Sequence, residues 1–458
     1  MASMENDIVQ DRLSEMPDEV IVHILSCMPT LDAVRTMLLR RFGDLWTSVH
    51  ALIFDFDEYY CEKSHQMIDG SPSLHEVFSC FSGFVQNVLM LHKGSTINIF
   101  HLYMYEFDVY FQDPKMIDDV QMWLRFAVNR GVKDLYFAFN GQDDLAPPRC
   151  VFTCQSIETL TLNGCMIDEY EDEQPLHMGS LTNLSLIRVD GCNDAFNQLI
   201  SRCPSLQELT IDDPQELQLL SITNPSVIKL DLCLQVVDGN PFTLHCPSVR
   251  ILDIKICREV PPFQLWVTDV SSLRVVNVKE LPYNCSCGLV KSIVKHFRNA
   301  EVFSLSRRAF QGLSFMTKVD FPHNSWKRLV LEPWWTHERC IPVILKLVKS
   351  SVKLEELIIY SGQSLDMFKL DRSQLSASGQ KPLRYPELST TCTFPLLKTV
   401  TIHGYGKWCK GLLELVKVLL RDAVVLEKLV IHPEKEVNFL KQVLSFQKAS
   451  TDATVVFA

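Results

Sequence analysis

The 458-residue sequence predicts an α/β chain: a short helical head, then a long body in which a strand and a return segment repeat. Three observations carry that prediction. Residues 11–49 place apolar side chains at helical spacing between prolines. From residue 132 onward the pattern apolar-x-x-apolar-x-apolar recurs along most of the chain. Near the C-terminal end, two copies of that pattern flank a helix-like run at Leu412–Leu420.

In the head, Pro17 suits the first position of a helix because it has no N–H to leave unpaired. Asp18 and Glu19 then put negative charge in the first turn, where the helix dipole favours it. Val20, Ile21, Ile24, Leu25 and Met28 follow at helical spacing. Pro29 stops that helix, and Thr30 is placed to cap a second one with Val34, Met37 and Leu38 on its apolar face. A third helical turn is expected through Asp44-Leu45-Trp46. Three small helices cannot bury all of this surface alone, so a partner or the following domain should cover part of it.

The runs Asp11-Arg12-Leu13-Ser14-Glu15-Met16-Pro17-Asp18-Glu19-Val20 and Met28-Pro29-Thr30-Leu31-Asp32-Ala33-Val34-Arg35-Thr36, with Leu45-Trp46, resemble the opening of plant F-box proteins. The resemblance implies docking on a Skp-type adaptor of a cullin-RING ubiquitin ligase. It implies Pro17, Ile21, Ile24, Leu25, Pro29, Val34 and Leu38 as adaptor contacts, although each also suits the core of the module. Two places depart from the family pattern. Met16 replaces the usual leucine, and Leu38–Trp46 is one residue shorter, with Phe42 where the family has tryptophan. Losing one residue turns a helix face by ~100°.

The body reads as leucine-rich repeats. Copies lie at Val132/Leu135/Phe137, Ile157/Leu160/Leu162, Leu184/Ile187/Val189, Leu206/Leu209/Ile211, Val227/Leu230/Leu232, Val249/Leu252/Ile254 and Leu273/Val276/Val278. The last six are spaced 27, 22, 21, 22 and 24 residues apart. Later copies begin at Ala300, Trp326, Leu354, Leu397 and Leu426. That period predicts a leucine-rich-repeat solenoid with a curved parallel sheet, one strand per unit. Cys165, Cys192 and Cys257 read as equivalent positions of three copies. Helical return segments are expected at Ala195–Ile200 and Leu289–Phe297.

Residues 361–393 break the rhythm with Ser, Gln and Pro and read as a long loop or partly disordered insert. Beyond them a strand-helix-strand run, then a helix over Asn438–Phe446 and a strand over Thr454–Phe457, resembles the FBD region that closes many plant F-box/LRR proteins. The expected organisation is therefore an F-box at 11–50, a linker and N-terminal cap at 51–131, repeats at 132–360, the insert, and an FBD-like α/β cap at 394–458.

Composition narrows the chemistry. With 47% hydrophobic and 22% charged residues, the sequence is that of a folded protein. A net charge of −11 argues against nucleic acid, which needs a basic face. The acidic run Asp168–Glu173 reads as a solvated loop. No apolar signal segment opens the chain and no run reaches the ~18 apolar residues of a membrane helix. Sixteen cysteines then fit thiols in the nucleus or cytoplasm.

No phosphate loop, nucleophile elbow or H-E-x-x-H run is present. Gly404-Tyr405-Gly406 lacks the third glycine of a dinucleotide site. Neither Cys150/Cys154 nor Cys285/Cys287 completes a zinc pattern, and His323 and His337 read as solvent-facing. No catalytic residue, cofactor or metal is expected.

A binding surface remains. Asp190, Asp212, Asp231 and Asp253 read as outward residues on consecutive strands, a candidate face for a basic or polar partner, with Lys255, Lys279, His403 and His432 further along. The resemblance implies a non-catalytic substrate receptor that brings a target protein to a ubiquitin ligase. The alternative is a scaffold whose altered F-box no longer recruits the adaptor.

Overall fold

The computed structural model describes residues 16–39, 42–66, 73–105, 114–139, 145–167, 177–214, 217–238, 241–260, 264–282, 286–314, 320–333, 340–361, 393–404, 410–432 and 437–457. Residues 362–392 of the expected insert, the acidic run Asp168–Glu173, residues 11–15 of the F-box motif, Cys285 and His337 lie outside the described residues. The chain divides into two compact units, Met1–Leu217 and Gln218–Ala458.

The first unit opens with α1 (Asp18–Leu25) and α2 (Thr30–Arg35). Pro17 and Pro29 occupy their N-cap positions, one residue earlier than expected for Pro17, because each proline fixes the extended entry that precedes a helix. The remaining turns, Thr36–Leu38 and Leu45–Ser48, are 3-10 helices, so the expected third helix is only a tight turn.

Six parallel strands follow: β1 (Ala51–Asp55), β2 (Ile99–Met104), β3 (Asp134–Phe139), β4 (Thr159–Asn163), β5 (Asn183–Ile187) and β6 (Glu208–Asp212). Each pairs with the next in chain order. Between them run α3 (Phe56–Gln66), α4 (Leu74–Leu91), α5 (Pro114–Asn129) and α6 (Asn193–Ser201). Ser73 and Glu76 close a reciprocal capping box at the start of α4. Gly131, at φ +70°, ends the α5 region, and the Val132 N–H returns to the Ala127 carbonyl.

The ladder starts earlier than the repeat period indicates. Val49/Leu52/Phe54 and Ile97/Phe100/Leu102 are two further copies, fully buried, whose strands lie within the stretch expected to be linker and cap. Helices as long as α4 and α5 separate them from the next copy, which removes them from a search at 21–27 residues.

One register also needs correction. The inward pair of β5 is Leu184 and Leu186, preceded by buried Leu181, not Leu184/Ile187/Val189. Cys192 is therefore not equivalent to Cys165. It caps α6, its sulfur accepting the Ala195 N–H at 3.3 Å.

In the second unit, β8 (Lys229–Asp238), β10 (Ile251–Val260), β12 (Val275–Glu280), β13 (Val302–Leu305), β14 (Arg328–Leu331), β15 (Glu356–Ser361), β16 (Thr399–Gly404), β17 (Lys428–His432) and β18 (Thr454–Phe457) pair successively in parallel. Three return segments add a smaller parallel sheet of β7 (Leu219–Ser221), β9 (Phe242–His245) and β11 (Leu265–Thr268). Later returns are helical: α7 (Cys287–His296), α8 (Arg307–Ser314), α9 (Cys340–Ser350), α10 (Lys410–Asp422) and α11 (Val437–Leu444). The expected strand-helix-strand run and the last helix and strand are all present.

Alternation gives the strands of both ladders before β18 a buried inner row, such as Leu230/Leu232, Leu252/Ile254 and Leu357/Ile359. Each such side chain contributes roughly 1.5–3 kcal/mol by leaving water. Trp326 is fully buried, lies parallel to Phe303 at 4.0 Å, and donates its indole N–H to the Phe297 carbonyl at 2.9 Å. Truncation to alanine would open a cavity at this stack and leave that carbonyl with the Ala300 N–H alone. Trp326→Ala is expected to cost about 3–5 kcal/mol in urea unfolding; a loss below about 1 kcal/mol would contradict this packing.

Candidate binding surfaces

The helical head has one face committed to the chain and one left open. Ile21, Leu25, Ala33 and Trp46 are buried. Thr30, expected to cap α2, lies inside it, and its buried hydroxyl accepts the Ile53 N–H of β1 at 2.7 Å. The Ser26 hydroxyl accepts the His50 N–H at 2.9 Å, and the Thr47 carbonyl accepts the Lys93 N–H at 2.8 Å. Arg35 spans from Asp32 to Glu62 on α3, and the Arg35 bonds hold the Glu62 carboxyl below its usual range. Being exposed, this ion pair adds at most about 1 kcal/mol. The seam therefore rests on backbone N–H groups that donate to hydroxyls and a carbonyl of the head.

Of the seven residues expected to touch an adaptor, Ile21 and Leu25 belong to this internal core. Val34 and Pro29 are half-buried, while Pro17 is exposed. Ile24 is 39% and Leu38 84% exposed. Val20, Met37 and Leu39 are also exposed, and sequence reasoning did not include them among the contacts. Their signal was present: Val20 and Ile24 sit four residues apart on α1.

The four aspartates expected to share one ladder do not. Asp190 lies three residues beyond β5, in an isolated bridge to Met166, and the β5 partner of Asp212 is Ile187. Asp231 and Asp253 are direct partners on β8 and β10, but neither offers an open negative face. The Lys279 ammonium sits 2.7 Å from Asp231 and 2.8 Å from Asp253, and Asn277 donates to Asp253 at 2.7 Å. The register of β10 and β12 shifts by one residue at this point, which leaves Lys279 without a rung of its own. Burial opposes the charge on Lys279, yet the two carboxylates outweigh it and raise its pKa. On β15 to β17, Tyr360, His403 and His432 stack in register at 4.6 and 4.4 Å. Burial, then the neighbouring His432, lowers the His403 pKa.

A second outward cluster was not legible beforehand. On the outer face of β1 to β5, Tyr103 and Tyr136 pack at 4.6 Å, and Tyr103 and Tyr105 at 6.4 Å. The Tyr105 and Tyr136 hydroxyls share a hydrogen bond. Asn163 donates to the Tyr105 oxygen at 3.1 Å, and Arg188 donates to Asn163 from Nε and Nη2 at 3.2 and 3.0 Å. Arg188 takes φ +48° at this place, a left-handed conformation that is costly for a bulky residue. His101 lies 3.3 Å from Asp134, and Asp55 is the register partner of Tyr103. Burial, then Tyr136, Asp55 and Asp134, raises the Tyr103 phenol.

Among the described residues, no group of three or more His, Cys, Asp or Glu could hold a metal ion, and no helix is long and apolar enough to cross a membrane. Burial pushes the thiols of Cys165, Cys203 and Cys246 up to about 12, which leaves them protonated and unreactive.

Comparison with known proteins agrees with this geometry. The F-box domain family matches residues 13–53, and the family described as FBD-associated F-box protein At5g56370, LRR repeats, matches residues 120–248. Among curated relatives, F-box/FBD/LRR-repeat protein At5g56420 of Arabidopsis thaliana is 31% identical over 44% of this chain and 43% of its own length. That match spans less than half of either protein. From the same plant, F-box/FBD/LRR-repeat protein At3g52680 is 26% identical over 76% of this chain and 70% of its own length. FBD-associated F-box protein At4g10400 is 24% identical over 77% and 78%.

Two outcomes follow from these surfaces. Thr30→Val removes the acceptor for the Ile53 N–H; it should cost about 1–2 kcal/mol and speed hydrogen exchange at that amide. Unchanged exchange at Ile53 would show that the hydroxyl does not join head to strand. With a thiol reagent at pH 8, exposed Cys27, Cys61, Cys80 and Cys192 should label in the folded chain, and Cys165, Cys203 and Cys246 only on unfolding.

Proposed function

We propose that this chain, with an F-box domain at residues 13–53 and leucine-rich repeats of the FBD-associated kind, is a substrate receptor of a cullin-RING ubiquitin ligase. The head docks on a Skp-type adaptor, and the repeat body holds a target protein for ubiquitin transfer. Residues 394–458 act as the FBD-type cap that shields the last strands. The chain performs no chemistry itself. It raises the effective concentration of the target beside the transferring enzyme and fixes its orientation.

The observation that carries this reading is the open apolar face of the head. Val20 and Ile24 on α1, with Met37, Leu38 and Leu39 after α2, are exposed, although Ile21 and Leu25 beside the first two in sequence are buried. Large apolar side chains left exposed on a folded module support an interaction site. On this reading, Ile21 and Leu25 hold the module together, while Pro17, Ile24 and Leu38 meet the adaptor.

The shortened Leu38–Trp46 segment supports a second reading, a scaffold that binds a target without recruiting the ligase. Direct binding of the purified chain to a plant Skp-type adaptor separates the two. The receptor reading predicts a stable complex, weakened at least tenfold by Ile24→Asp with Leu38→Asp, a loss of at least about 1.4 kcal/mol. Both side chains are exposed, so the variant should melt like the parent. No complex with the folded parent would favour the scaffold.

A further inference from the structure

We propose that Cys233 and Cys257 form a two-coordinate site for one soft monovalent metal ion, copper(I) by preference. The site lies on the outer face of β8 and β10, within the second unit, and stands apart from the receptor reading above. Three observations carry it.

The first is geometry. Asp231 and Asp253 are register partners on the two strands, as are Cys233 and Lys255. Outward residues recur at every second position. Cys233 therefore follows Asp231 on the outer face of β8, and Cys257 follows Asp253 and Lys255 on that of β10. The two sulfurs lie 4.0 Å apart. Metal–thiolate bonds of about 2.3 Å span up to about 4.6 Å, so a single ion slightly off the line between the sulfurs bonds both without moving either strand. A disulfide fits this pair poorly. The cysteines are diagonal in the register rather than opposed, and diagonal neighbours stand about 7–8 Å apart, where a disulfide demands backbone movement.

The second is the donor set. Thiolates select soft ions, copper(I) and zinc among them. A structural zinc ion takes four ligands. Among the described residues, no group of three or more His, Cys, Asp or Glu could hold a metal ion, so the pair acts as two donors. Asp231 and Asp253, which precede the cysteines on this face, are already bridged by Lys279. Two soft donors suit an ion that is content with two.

The third is environment. Cys233 is 4% exposed and Cys257 half-buried, so one sulfur is shielded while the other gives access from solvent. The half-buried Lys255 is the register partner of Cys233 and stands two residues from Cys257 on the same face. A cation here favours the thiolates that a metal requires, and it offsets the single negative charge of the loaded pair. Loading involves no redox step. Each thiol gives its proton to solvent, two sulfur–metal bonds form, and the ion keeps its oxidation state.

The test uses the full chain, reduced and free of oxygen, with copper(I) as the probe and bathocuproine disulfonate as a coloured competitor. Because the chain has sixteen cysteines, the readout is a difference between matched chains. The parent and Cys27→Ser, which alters an exposed thiol of the head, should each retain one tight equivalent. Cys257→Ser should hold that equivalent at least about tenfold more weakly. Copper-edge X-ray absorption at one equivalent should show two sulfur neighbours.

Alkylation of the unaltered chain by iodoacetamide, read by peptide mass spectrometry, gives a readout that needs no variant. With the competitor present, one equivalent of copper(I) should slow modification of Cys257 at least about fivefold and leave exposed Cys61 and Cys80 unchanged. Equal copper retention by the parent and Cys257→Ser would overturn the inference, as would Cys257 reacting as fast with copper(I) as without it. Three or four sulfur neighbours would overturn the two-coordinate assignment.

Discussion

A strand with one apolar face must have neighbours on both edges and a covering layer behind, and this single requirement organises the molecule. Each repeat supplies two inward side chains on its strand and one apolar residue in the turn before it. None of these units can bury that set alone. Parallel pairing in chain order solves the backbone half of the problem, and the return helices or short strands solve the other. The result is that all inward positions, from Leu52 on β1 to Ile431 on β17, are withdrawn from water, while every second residue faces out.

The outward positions are therefore free to differ from strand to strand, and they do. Tyrosines, a histidine and carboxylates gather on β1 to β3, an internally bridged Asp-Asp-Lys group on β8, β10 and β12, and an aromatic stack on β15 to β17. The head uses the same logic at the start of the ladder. The Thr30 and Ser26 hydroxyls accept the Ile53 and His50 N–H groups on and next to β1, and the Thr47 carbonyl accepts the Lys93 N–H, so docking the head costs few unpaired groups. Its exposed apolar residues, Val20, Ile24 and Met37 to Leu39, take no part in those bonds.

Much of this was legible in the sequence, for physical reasons. The alternation that buries Leu230 and Leu232 is a local pattern, as is the proline-bounded stripe of α1. What escaped was set by longer-range geometry. The copies at Leu52 and Phe100 were hidden because long helices interrupt the period. The β5 register was misread because Leu184, Leu186, Ile187 and Val189 offer two apolar registers, and only pairing with β4 decides between them. That choice misplaced Asp190 and Cys192. Thr30 looked like a cap because its residue type suits one; its role as an acceptor for β1 depends on a contact 23 residues away. Within the candidate site, Ile24 and Leu38 are exposed as a docking role requires, whereas the Tyr103–Tyr136 pair combines residues 33 positions apart and leaves no local signature.

The central claim is a division of labour: the head meets the adaptor and the sheet face stays open for the target. Hydrogen exchange of the full chain, with and without a saturating Skp-type adaptor, tests it most directly. The account predicts protection confined to α1, α2 and the turn through residues 36–39, with amides of β2 to β6 exchanging as in the free chain. Protection spread over those strands, or none in the head, would contradict it.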